Sequence, residues 1–283
     1  EHVTQAVADG DADASAVLMD AAADSPVDAF VAVDRWLRAI GLHAPLILAA
    51  DVSKGLLLLE DLGDDLVAAV VARGGDEPAI YGVALDAILR FQEVEPPGFV
   101  PRLDDLGLVE LLDLFLEFET SGPDPAAREE FRTLWHEVLP SARLGADVFL
   151  YRDYHAENML WLPEERGLWR LGLIDFQDAF QGPRAYDLVS LLQDARRDVS
   201  PETAEAVTRR YREARPGLDR DELDTALAIL GAQRAMRILG VLSRLVRVRG
   251  RRNLEHPALG GLRRWCGRHT GLLDGSSRTG TAA

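Results

Sequence analysis

The 283-residue chain carries 31 Lys and Arg against 47 Asp and Glu, a net charge of −16. That balance argues against a nucleic-acid partner, because a phosphate backbone demands a basic face, but it leaves room for a small anionic ligand, which needs only a local cation or metal. Hydrophobic residues at 47% and charged residues at 28% belong to an ordinary globular composition. No uninterrupted apolar run approaches the ~20 residues of a membrane span, so no membrane partner is expected. The single Cys266 cannot close an internal disulfide. A reducing cytoplasm is the expected location, with Cys266 packed beside Trp265.

In chain order, EHVTQAV and SAVLMDAA read as two strands separated by the acidic, turn-rich ADGDADA, hence a hairpin. SPVDAFVAVDRWLRAIG reads as a helix. Ser25 suits its N-cap, Pro26 its first turn and Gly41 its stop, and Val27, Phe30, Val31, Leu37 and Ile40 share one apolar face. APLILAADVSKGLLLLEDLGD then gives two more strands around a turn at 53–55.

From Leu66 the period becomes helical in DLVAAVVARG, EPAIYGVALDAILRFQEV, LGLVELLDLFLEFETSG and AAREEFRTLWHEVLP. The prolines of EPPGFVPRLD exclude helix between them. DVFLYRD and LWRLGLIDF read as strands flanking a hairpin-like PEERG, and from Asp187 to about residue 260 the chain reads helical. The small polar tail DGSSRTGTAA reads as disordered. A small strand-rich lobe, 1–62, and a large helical lobe, 63–283, meet at a boundary near 59–65, giving an α+β, two-lobed molecule with a cleft at the junction.

Asp153 follows a strand ending at Leu150, and Asp175 follows one ending at Ile174. If these strands pair as a hairpin, both acids emerge at one loop mouth with Asn158 brought close by the intervening turn. An acid, an amide oxygen and a second acid form a hard, oxygen-only ligand set. It suits Mg²⁺ and suits zinc poorly, since no Cys or paired His stands nearby.

The order Asp-x-x-x-x-Asn followed by Ile-Asp-Phe resembles the catalytic and metal loops of the protein-kinase-like superfamily, in its aminoglycoside phosphotransferase and choline kinase branch. Within that branch, YRDYHAENMLWLPE, GLIDFQDAFQGPRAYDLVSLLQDARRDV, LLLLEDLGD and LEHPALGGLRRW resemble the bacterial N-acetylmuramate/N-acetylglucosamine anomeric kinases of peptidoglycan recycling. The resemblance covers about residues 16–266. It implies ATP and Mg²⁺ as cofactors and an amino sugar as the small-molecule substrate. Asp153 would accept the proton of the attacking hydroxyl, and Asn158 and Asp175 would hold the metal. Met19 would occupy the strand position where kinases usually carry a phosphate-gripping lysine. The adenine would meet the backbone of Glu60, Asp61 and Leu62.

Around that core, Asp187 is expected to open a helix and brace the catalytic loop, and His155 to pack within it. Arg152 is expected to be structural. Asp178 reads as a group near the metal or substrate or as a solvent-facing turn acid. Gln233, Arg234 and Arg237 share a helix face that could meet a sugar or its carboxylate, a solvated stripe being the plainer reading. Glu110, or Glu117, could meet sugar hydroxyls, although Leu111, Leu114 and Phe115 explain that helix without them. The resemblance also places a phosphate-covering loop ahead of the first strand here. The DGDADAS stretch is a poor substitute because its three carboxylates would repel phosphate. A different small-molecule phosphotransferase, acting for instance on an aminoglycoside, and a pseudokinase binding module both remain open at this point.

Overall fold

The structure, a computed structural model, describes residues 2–7, 15–22, 27–120 and 124–249. The predicted first hairpin is present: β1 (His2–Val7) and β2 (Ser15–Asp20) run antiparallel, with Val3 opposite Met19. Its connection, including most of DGDADAS, lies outside the described residues, as do Ser25, Pro26, Trp265, Cys266 and the polar tail. β3 (Ile47–Asp51) and β4 (Leu56–Glu60) complete a sheet of order β1-β2-β4-β3. They reverse through a short 3-10 turn, Val52–Lys54, capped by the Asp51 carboxylate and closed by Gly55 at φ 74. A Cβ on Gly55 would lie 2.8 Å from the Ala21 carbonyl oxygen, so this turn requires glycine for its conformation and for its closeness to the strand beside it.

Helix α1 (Val27–Ala39) stops where the sequence indicates. Gly41, at φ 87, donates to the Arg38 carbonyl and Leu42 to that of Leu37, each at 3.0 Å, the paired bonds of a glycine C-cap. Its predicted apolar face is buried, and Asp34 lies buried in the same stripe. From that face Phe30 stacks on Phe176 at 4.6 Å, while Trp36 meets Phe149 at 4.4 Å. The helix thereby docks the small sheet onto the rest of the chain.

The remainder carries α2 (Val67–Ala72), α3 (Glu77–Glu93), α4 (Asp105–Glu110), α5 (Asp113–Phe118), α6 (Pro125–Val138), α7 (Tyr186–Leu192), α8 (Pro201–Glu213) and α9 (Arg220–Arg249). Asp76, Asp104 and Asp124 each cap a helix by accepting the amide hydrogen three residues on. Two expectations change here. The segment 107–118 is not one helix but two, broken at Leu111 and Leu112. A Cβ on Gly240 of α9 would clash with the backbone of Leu114 and Phe115, so α9 crosses in close contact with the start of α5, and this packing overrides the helical period. The run after Asp187 likewise breaks, at 193–200 and 214–219, into three helices.

The strand pairing also differs. The strand before Asp153, β5 (Val148–Leu150), pairs with β8 (Phe180–Gly182), while β6 (Met159–Trp161) pairs with β7 (Leu171–Leu173). PEERG therefore joins β6 to β7, and the expected hairpin between the strands at 150 and 174 does not form. The shorter loop closes at lower entropic cost, and β7 is further held by His43, whose carbonyl accepts the Leu173 amide at 2.8 Å. By length and composition α9 could cross a bilayer, but 56% of its most apolar stretch is buried within the protein. It serves as the central helix of the larger lobe.

Candidate active site

Asp153, Asn158 and Asp175 converge although their strands do not pair as expected. The Asn158 side-chain amide donates to the Asp153 carbonyl at 2.9 Å and to the Asp175 carboxylate at 3.2 Å. Its backbone carbonyl accepts the Ile174 amide at 3.2 Å. One asparagine thus ties both loops together. The Tyr151 hydroxyl adds a second tie by donating to the Ile174 carbonyl.

The chain is bent into this shape against its own preferences. Arg152 and Asp175 hold φ of 78° and 67°, the only non-glycine residues with positive φ among those described. Such conformations cost of order 1–3 kcal/mol each and persist where the surroundings over-determine them. The surroundings here are α7. Asp187 is fully buried, and its two carboxylate oxygens accept the amides of Tyr151 at 2.6 Å and Arg152 at 2.9 Å. Ser190, one turn on, donates to the Arg152 carbonyl at 2.9 Å. Asp187 therefore braces the loop as the sequence suggested. Burial pushes its pKa up to about 7, against the pull of those two amides and of Arg234.

Asp153 points into the space beside α9. Its Oδ1 lies 3.5 Å from Arg237 Nη1 and 3.8 Å from Arg234 Nη2. Burial works against its charge, but Arg237, then Arg234 and Arg152, outweigh that and hold its pKa below the ordinary carboxylate value. It is ionised at neutral pH and can accept a hydrogen bond or a proton. His155, two residues on, is buried, and burial, Arg196 and Arg234 depress its pKa to about 3. It stays neutral, packed against Asn158 at 3.4 Å, which supports the loop-packing role rather than a base.

Asn158 and Asp175 bring together one amide oxygen and one carboxylate, the donor types that a hard cation takes. Among the described residues the Asn158 side-chain carbonyl accepts no hydrogen bond, while its nitrogen faces an Asp175 oxygen. The other Asp175 oxygen accepts from Gln177 at 2.6 Å, a partner that sequence reading missed although it stands only two residues away. No group of three or more His, Cys, Asp or Glu able to hold a metal occurs among the described residues. An all-carboxylate or thiolate cage is thus absent among them.

The remaining expected residues scatter. Arg234 and Arg237 reach Asp153, but Gln233 turns to α4 and donates to the Leu108 carbonyl at 2.8 Å, where it packs helices together. Asp178 is exposed and pairs with Arg152 at 3.1 Å, the structural use foreseen for that arginine. Glu110 is exposed at the end of α4. Met19 packs half-buried on β2, opposite Leu57. Glu60 donates its amide to the Leu46 carbonyl at 2.8 Å and accepts the Leu46 amide at 2.9 Å. Asp61 accepts the Gly63 amide at 2.8 Å, and Leu62 is buried where its methyl group meets Gly172. Asp194 was not singled out by its sequence. Its buried Oδ2 lacks a hydrogen-bond partner among the described residues, and its charge reaches Arg234.

The sequence model described as "Phosphotransferase enzyme family" matches residues 4–223. Among solved structures, the choline/ethanolamine kinase family protein from Mesorhizobium loti superposes with a TM-score of 0.62 at 16% identity, covering 92% of this chain and 82% of that one. The GDP complex of aminoglycoside 2′-phosphotransferase-IIIa does so at 0.60 and 13%, covering 95% and 93%. These likenesses establish the protein-kinase-like, α+β fold.

Among curated relatives, the N-acetylmuramate/N-acetylglucosamine kinase of Caulobacter vibrioides is 45% identical over 233 residues, 78% of this chain and 64% of its own length. That of Pseudomonas aeruginosa is 33% identical over 251 residues, 82% and 71% respectively. The chain spans a little under two thirds of the length of the first of these relatives. It belongs to the phosphotransferase enzyme family and, within it, to the N-acetylmuramate/N-acetylglucosamine kinase group.

Proposed function

We propose that this protein transfers the γ-phosphoryl group of ATP to the C1 hydroxyl of N-acetylmuramate or N-acetylglucosamine, giving a sugar 1-phosphate for peptidoglycan recycling. The observation that carries this reading is the knot in which Asn158 ties the Asp153 loop to Asp175. The kinase names of the relatives supply the substrate class.

In this reading the lobe 1–62 covers the nucleotide and 63–283 supplies the chemistry. The adenine lies along the backbone of Asp61 and Leu62, Glu60 contributing less because its amide is already bonded to Leu46. Asn158 and Asp175 hold Mg²⁺, which when bound neutralises the phosphate oxygens. Asp153 orients the attacking hydroxyl and takes its proton. An anomeric hydroxyl is more acidic than an ordinary alcohol, so it asks less of a base as weak as Asp153. A reducing cytoplasm is the location this chemistry expects, where ATP is at hand.

Phosphorus NMR of the product formed from N-acetylmuramate, ATP and Mg²⁺ tests the proposal. A sugar 1-phosphate that Asp153→Asn fails to make is the expected result. Phosphate on an aminoglycoside and on neither amino sugar would assign the fold to a different acceptor. Transfer by Asp153→Asn at the wild-type rate would remove the base.

A further inference from the structure

Two buried guanidinium groups share one carboxylate oxygen of the candidate base, Asp153, and neither is satisfied by it. Arg234 is 2% exposed, and its Nε and Nη2 have no hydrogen-bond partner among the described residues. Nη2 is the atom that faces Asp153 Oδ1, at 3.8 Å. Arg237 is nearly as buried, with its contacts to Asp153 and to the Tyr186 hydroxyl both at 3.5 Å. A made N–H···O bond spans about 2.7–3.2 Å. Donors removed from water and left this loose await an acceptor, because leaving a buried charge unpaired is costly.

Other cations near the loop are already engaged. Arg152 pairs with Asp178 at 3.1 Å and lies over the Phe180 ring, so its charge is spoken for although its Nε has no hydrogen-bond partner among the described residues. Arg196 pairs with Glu157 at 2.8 Å. On the small sheet, the strand position where a phosphate-gripping lysine is expected carries Met19, flanked on its face by Val17, Leu57 and Leu59. A thioether there offers phosphate no charge.

We propose that Arg237, backed by Arg234, is the cation that receives the phosphoryl group in flight, supplied from the large lobe in place of the missing lysine. This rests on the kinase reading above and assigns to that same site a group the reading lacked. A hydroxyl hydrogen-bonded to Asp153 places its oxygen within about 3 Å of the carboxylate, and phosphorus approaches that oxygen to about 3–3.5 Å. The phosphoryl oxygens then lie within reach of nitrogens held 3.5 and 3.8 Å from Asp153 Oδ1. The bond from the sugar oxygen to phosphorus forms as the bond from phosphorus to the β-phosphate oxygen breaks. ADP leaves with that electron pair, and the hydroxyl proton passes to Asp153. The arginines keep their protons and meet the developing charge with donors already desolvated, so little reorganisation accompanies the step. The competing use of the pair, gripping the lactyl carboxylate that distinguishes N-acetylmuramate from N-acetylglucosamine, makes a different forecast.

The experiment uses the full-length protein with Arg237→Ala, Arg237→Lys and Arg234→Gln, each checked for folding by circular dichroism. It measures kcat and KM for both sugars. The expected result for Arg237→Ala is a kcat lower by about 10²–10³-fold on both sugars alike, with KM for each little changed. Lysine, or free guanidinium added to the alanine variant, should restore part of the loss. Without turnover, ADP with aluminium fluoride and N-acetylglucosamine should bind the wild type more tightly than ADP with the sugar alone, and Arg237→Ala should lose that gain. Should the alanine variant not fold, the lysine variant carries both readouts. A rise in KM for N-acetylmuramate alone would overturn the proposal in favour of carboxylate recognition, and unchanged kcat on both sugars would overturn it outright. A wild type that phosphorylates neither sugar would instead remove the kinase reading on which it rests.

Discussion

In the small sheet, Val17, Met19, Leu57 and Leu59 make an apolar face, and α1 brings to this lobe a buried carboxylate, Asp34, whose Oδ1 has no hydrogen-bond partner among the described residues. In the large lobe, the loop from Tyr151 to Asn158 is held by Asp187, Ser190, Asn158 and two arginines. On the proposed function, the contrast separates two ways of handling a polyphosphate. That face of the sheet has little charge to offer and would serve by shape and backbone. The loop concentrates charge at one point, where a buried polar network fixes the backbone and leaves the arginines beside Asp153 only loosely paired.

The comparison breaks most sharply at the loop. Asp153→Asn should lower kcat by roughly 10²–10⁴-fold, the usual worth of a positioned base, and should also lower the melting temperature, because it leaves the buried Arg234 and Arg237 without their shared carboxylate; steady-state kinetics beside a thermal melt decide it. Asp187→Ala should act chiefly through stability. It strands two buried amides at about 1–3 kcal/mol each, so about 2–6 kcal/mol in urea unfolding, with activity falling because Arg152 and Asp153 lose their anchor. A variant as stable as the wild type would show that the loop holds its shape without α7.

Asp34 sharpens the comparison from the other side. Burial raises its pKa to about 6 from the ordinary 3.8. Between those values the folded protein holds a proton that the unfolded chain has released, so this group's contribution to stability falls as pH rises from about 4 to 6 and stays low above. Asp34→Asn should therefore match the wild type near pH 4 and exceed it at pH 8 by up to about 3 kcal/mol, two pKa units of difference. Equal stability at both pH values would mean that a partner compensates the carboxylate. The smallest effect is expected at Met19→Leu, under about 1.5 kcal/mol in stability with kcat nearly unchanged. A large loss of activity there would restore Met19 to the chemistry.

Much of this was legible along the chain. The Gly41 stop, the Gly55 turn and the apolar face of α1 follow from local rules that operate over one or two helical turns. The Asp-x-x-x-x-Asn and Ile-Asp-Phe pattern singled out, before any geometry, the two acids and the amide that the fold brings together, because the proposed chemistry demands those residue types at that spacing. The bracing role of Asp187 also came through, since an acid opening a helix beside that pattern has few other uses.

Tertiary structure decided what depends on partners distant in sequence. The pairing of β5 with β8 and of β6 with β7 was misjudged because alternation along a three-residue strand carries no information about its neighbour. The break between α4 and α5 follows from α9 crossing at Gly240, more than a hundred residues later. Gln233 and Arg237 sit one helical turn apart and look interchangeable in sequence, yet one ends on a carbonyl of α4 and the other beside the base. Composition and spacing determined which side chains can do chemistry here; burial against α7 and α9 determined which of them face the same few ångströms of space.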